Sequence, residues 1–109
     1  MEYQLQRSRF LMPCFGISKV RYNSNHTQVD RVVKHLINEW GVFDGRMASR
    51  YEVMDGLHNG VSYKTITLGS NKTCEIGPDL KIVVLGGAEY IKNESSSLSC
   101  DELGNLPEF

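Results

Sequence analysis

Apolar and polar positions along this chain alternate mostly as strands do, with one clear helix among them. Cys14 to Tyr22 (Cys-Phe-Gly-Ile-Ser-Lys-Val-Arg-Tyr) has the β-branched and aromatic content of an extended segment. Asn23-Ser24-Asn25-His26 is turn chemistry, because Asn side chains hydrogen-bond their own backbone and tolerate left-handed conformations. Val61 to Leu68 alternates as a half-buried strand. The nearly continuous apolar run Leu80 to Leu85 predicts a central strand covered on both faces. Gly86-Gly87 then makes a tight hairpin into Ala88–Lys92. Turns are expected at Gly69-Ser70-Asn71-Lys72 and Gly77-Pro78-Asp79, and a polar loop over Asn93–Ser99.

The helix lies in the middle. Ser49-x-x-Glu52 is a capping box, Tyr51, Val53, Met54 and Leu57 supply an apolar face, and Asn59-Gly60 is a stop suited to a left-handed cap. A second segment is ambiguous. Val29, Val32, Val33, Leu36, Ile37 and Trp40 recur at helical spacing, with Thr27-x-x-Asp30 as a capping box and Gly41 as a stop. Read as a strand, its Val29, Val33 and Ile37 share a face with Arg31 and His35. Periodicity alone favours helix.

The ending Leu103-Gly-Asn-Leu-Pro-Glu-Phe109 concentrates apolar and ring-bearing residues that cost about 25 cal/mol per Å² of apolar surface left in water. It is therefore expected to dock back on the domain. Three blocks, Ile17 to Tyr22, Arg50 to Tyr63, and Glu89 to Phe109, resemble the small bacterial and phage-associated family catalogued as domain of unknown function 3892. The specific part is the Tyr90-Ile91-Lys92 strand followed at fixed distance by Leu103-x-x-Leu106-Pro107. This resemblance implies that residues 27–37 are extended and paired with the first strand, against the periodicity, and it brings no established activity. The expected fold is α+β: a small, mainly antiparallel sheet of four or five strands with one packed helix, in the order β-β-α-β-β-β, and the C-terminal segment docked. Residues 1–13 read as a polar N-terminal extension and 14–109 as a single domain.

Charge narrows the partners only slightly. Twelve Lys and Arg against thirteen Asp and Glu leave −1 overall, with the basic excess before residue 65 and the acidic excess after it. Cys14, Cys74 and Cys100 form no CxxC pair, which argues against a disulfide framework or zinc site and for a cytoplasmic setting. No window is apolar enough to span a membrane, and Met1 to Phe10 has no secretory apolar run.

No spacing assembles a catalytic set. Cys14 with His26, His35 or His58 lacks a pattern that would bring thiol and imidazole together, and the histidines lack metal-ligand spacing. Gly86-Gly87 leads into a strand instead of a helix N-terminus, so it cradles no phosphate. Asp101-Glu102 and Asp79 near Glu75 read as solvated carboxylates. The candidate binding face is Lys19, Arg21, Tyr22, Arg31 and Lys34, cations and a ring on the first hairpin, with Arg50 and Lys64 as possible extensions. No cofactor is implied. The leading reading is a non-enzymatic protein-interaction module, monomeric or a small homo-oligomer, whose sheet edge or hairpin contacts another protein. In the bacterial or phage setting that the resemblance implies, it would modulate or inhibit a host protein complex. The alternatives are an accessory nucleic-acid-binding protein using the basic-aromatic face, and an enzyme with an unrecognised site.

Overall fold

A computed structural model of the chain describes residues 14–70 and 73–109. The expected extension over 1–13, and the part of the Gly69–Lys72 turn at Asn71-Lys72, lie outside the described residues. Strand β1 (Cys14–Tyr22) pairs antiparallel with β2 (Val29–Asn38) across a turn in which Asn23 Oδ1 accepts the N–H groups of Thr27 and Gln28. The strand expected over 27–37 is observed over Val29–Asn38, and the helix that periodicity favours there is not. Two short strands, β3 (Gly41–Val42) and β4 (Arg46–Ser49), both pair with the outer side of β2.

Helix α1 (Arg50–His58) starts at the Ser49 cap, whose hydroxyl accepts the Glu52 N–H at 3.2 Å. It ends at Asn59 and Gly60, the latter at φ +83°. Val53 and Met54 are buried and Leu57 packs beside them. Tyr51, expected on that face, is 79% exposed, since it sits about 100° around the helix from the stripe. Arg50 falls within the stripe and reaches inward instead. Glu52 does not close a reciprocal box. It holds Lys34 and Arg46, each at 2.7 Å.

After the helix, β5 (Ser62–Leu68) enters the sheet parallel to β1, over Cys14–Ile17 only. Strand β6 (Cys74–Asp79) lines its other side. The sheet is therefore mixed, with order β3-β2-β1-β5-β6 and β4 also on β2, where a mainly antiparallel one was expected. Gly77-Pro78-Asp79, expected as a turn, belongs to β6. An edge strand tolerates proline's missing N–H, and a Cβ at Gly77 would lie 2.3 Å from Thr65 Oγ1.

Strands β7 (Lys81–Leu85) and β8 (Ala88–Lys92) form a separate ribbon, closed by Gly86 and Gly87 at φ +58° and +82°. Two consecutive positive φ values define the two-residue hairpin that glycine makes accessible. The expectation of a central, doubly covered strand at 80–85 fails, because Leu80 is buried while Val84 is 61% exposed. Two extra short strands before the helix and β6 after it also lengthen the expected element order.

The core lies between the helix-side sheet face, the helix and the ribbon: Ile17, Val20, Val32, Ala48, Val53, Tyr63, Ile91 and Leu103 are each at most 2% exposed. Leu103 anchors the C-terminal segment, and Leu106 packs against the same cluster. Beyond them the chain runs beside β1 where β5 has already diverged. The Val20 N–H donates to Pro107 O at 3.0 Å and the Phe109 N–H to Val20 O at 3.1 Å. The tail thus fills a backbone slot in the sheet.

Candidate functional site

The five predicted face residues separate once folded. Val20 and Val32 are buried on the helix side, so exposed Lys19, Arg21 and Arg31 share the opposite face. Lys34 is buried under the helix. Its Nζ lies 2.7 Å from Glu52 and 3.1 Å from the Tyr63 hydroxyl, and 4.1 Å from the Phe15 ring centroid. Hydrogen bonding to Lys34, more than to Arg46, holds the Glu52 carboxyl below its ordinary 4.5. The Tyr22 ring lies tilted against His26 with centroids 3.9 Å apart, and its hydroxyl accepts the Leu103 N–H. Burial pushes its phenol above 10.0. Neither proposed extension joins the face, because Arg50 binds Asp101 and Lys64 pairs with Asp79.

Asp101 and Glu102 overturn the expectation of solvated carboxylates. Asp101 is 2% exposed. Its oxygens accept the N–H groups of Val29 (2.8 Å) and Ile91 (2.9 Å) and both arms of Arg50 (2.8 and 3.2 Å). Glu102 takes the fully buried Lys92 ammonium at 2.6 Å, which Ser96 Oγ and the Leu98 carbonyl also accept. The Lys92 contact first, and Ser96 second, hold the Glu102 carboxyl below 4.5. These two carboxylates lock the tail to the ribbon, the helix and β2.

A cleft of about 290 Å³ opens beside this clasp, lined among others by Tyr22, His26, Glu94, Cys100 and Asn105. A thiol, an imidazole and carboxylates therefore share one depression, which spacing alone did not foresee. Their hydrogen bonds lead to other partners. His26 Nε2 bonds Glu108 at 3.1 Å, the Asp101 oxygens are spent as above, and no hydrogen bond joins Cys100 to His26. Among the described residues no group of His, Cys, Asp and Glu is placed to hold a metal ion.

A second polar pair is interior. His35 Nδ1 lies 2.8 Å from Phe43 O, and since a carbonyl only accepts, Nδ1 carries a proton. In the neutral ring Nε2 then accepts from Ser18 Oγ at 2.7 Å. Ser18 is the extra residue of a β1 bulge, and Gly45 closes over the imidazole. The buried hydroxyl and imidazole brace the 43–45 loop.

The β2–β3 hairpin leaves three large apolar residues close together in sequence at the surface. Leu36 is 37% exposed, Phe43 47% and Trp40, in the turn, 69%. The Phe43 N–H donates to Leu36 O, which fixes the two residues side by side. Phe15 pairs with Leu36 and Tyr63 with Phe15, so an apolar row begins under the helix and emerges at this end of the sheet. Trp40 figured in the sequence only as the last residue of a helical stripe; its exposure depends on β2 being a strand that turns there.

The fold and these surfaces define a small α+β domain with a curled mixed sheet and a separate ribbon. No protein-family model, curated protein or solved structure matches the chain. No helix among the described residues is long and apolar enough to cross a membrane.

Proposed function

We propose that this protein is a non-enzymatic interaction module that docks a partner protein through the β2–β3 hairpin. One observation carries the reading: Leu36, Trp40 and Phe43, three large apolar side chains within eight residues, stay in water on a well-braced hairpin. Interfaces concentrate binding energy in such aromatic anchors, and a rigid presentation lowers the ordering cost of association. His35 supplies the rigidity by holding Phe43 O. The bacterial or phage family resemblance adds the idea that the partner is a host complex whose action the module modulates.

The test is affinity capture from the native cells with wild type and with Trp40→Ser/Phe43→Ser, alongside sedimentation. A defined partner recovered by wild type and lost by the double variant, with unchanged thermal unfolding, supports the proposal. Equal recovery by both proteins overturns it. So does a homodimer that the substitutions split, since the occupant would then be a second copy.

A further inference from the structure

The face opposite the helix carries a group of cations that no Asp or Glu side chain among the described residues neutralises. Lys19 and Arg21 flank buried Val20 on β1, so both leave the same side, and the register sets Arg21 directly opposite Arg31. Like charges facing across a strand pair repel and weaken the pairing. Five other described cations, among them Lys34 and Arg50, each hold a carboxylate. Lys19, Arg21 and Arg31 pair with no Asp or Glu side chain among the described residues, and the last two face each other.

An aromatic ring stands beside them. Arg21 Nε donates to the Phe109 backbone oxygen at 2.9 Å, and its guanidinium lies 4.7 Å from the Phe109 ring centroid. Phe109 is half-buried, which leaves part of it at the same surface. Tyr22, the ring expected from sequence, is turned to the cleft. Cations beside a partly exposed aromatic ring are what a single strand needs: phosphates on the charges, a base against the ring. Three charges on a sheet face present no helix or ribbon that enters a duplex groove.

We infer that Lys19, Arg21 and Arg31, with Phe109, form a binding site for single-stranded nucleic acid, separate from the protein-docking hairpin. The experiment is fluorescence anisotropy of a labelled oligothymidylate with the full chain over a series of salt concentrations. Three phosphate contacts predict a log–log salt slope of about −2, at about −0.7 per contact on a single strand. Arg31→Ala, at an exposed position whose side chain holds no described partner, flattens that slope by about 0.7. Lys81→Ala, an exposed cation on the separate ribbon, leaves both slope and affinity unchanged. Arg21→Ala is the less clean variant, because it also releases Phe109. Absence of binding at low salt overturns the inference, as does a slope indifferent to Arg31→Ala. Displacement by polyglutamate at equal charge overturns it too, and would identify an acidic protein segment as the occupant.

Discussion

Asp101 and Trp40 are placed in opposite ways in this molecule. One is a charged residue 2% exposed, with four donors on its two oxygens; the other is a large apolar residue 69% exposed in a turn. Each reverses the usual partition of polar and apolar groups. At the clasp the reversal is compensated internally, since a buried carboxylate persists only when hydrogen bonds and a counter-charge replace its water. At the hairpin nothing described in the chain compensates it. A reversal of the first kind supports a structure; the second kind has no such structural account, and it is on the clustering of Leu36, Trp40 and Phe43 that the docking proposal rests.

The strongest way to break that contrast is at Asp101. Replacement by alanine strands two buried backbone N–H groups and removes the counter-charge of Arg50, and the tail, ribbon and helix lose their common tie. Losing a buried pair costs about 3–5 kcal/mol, so the thermal midpoint should fall by roughly 15–30 °C. A fall under about 5 °C in scanning calorimetry would show that the clasp is incidental to stability.

The Lys92–Glu102 pair sharpens the comparison, because its two partners are unequally buried, at 0% and 29% side-chain exposure. Glu102→Gln leaves a fully buried ammonium without its anion and should cost about 3–5 kcal/mol. Lys92→Met leaves a carboxylate that water can reach, and the similar side-chain volume keeps the cost below about 1.5 kcal/mol. Acid titration tests the same point. The Glu102 carboxyl is held below 4.5 in the folded state, so its stabilisation is complete above that value and lost as pH falls through the lowered one. Glu102→Gln should therefore reduce the acid-side loss of stability seen in urea midpoints. An unchanged acid profile, or a larger penalty for Lys92→Met, would contradict the burial asymmetry.

These polar partnerships were the least legible part of the sequence. Asp101 meets Arg50 from 51 positions away, and no spacing rule brings them together. Local signals fared better: the Ser49 cap, the Gly86-Gly87 hairpin and the apolar tail all read directly from residue type. The helical rhythm of β2 has a specific origin. A register break pairs Tyr22 with Val29 and Arg21 with Arg31, so Asp30 is an extra residue and Val29 and Val32 are both buried three positions apart. Farther along, Lys34 is buried under the helix and His35 under the 43–45 loop, so adjacent positions are buried on opposite faces. Bulges and two-sided cover imitate a helix. The ribbon departs from expectation for the converse reason, since a continuous apolar run looks the same whether one face or both are covered.

The candidate surfaces were legible only in part: charge and ring content singled out the first hairpin, but folding drew Lys34 and Tyr22 inward and put Phe109 beside Arg21. Trp40 gives the smallest predicted change in stability and the clearest separation of the two regions. Its side chain loses little by truncation because most of it already faces water, so Trp40→Ser should shift unfolding by no more than about 0.5 kcal/mol. Partner capture should nonetheless fail, since anchors of this type carry much of an interface's energy. The Asp101→Ala result would be the reverse, with stability lost through a group no partner can touch. If Trp40→Ser instead destabilised the chain by as much as a core truncation, about 2–5 kcal/mol, the indole would be a structural prop and the hairpin would lose its claim as a docking surface.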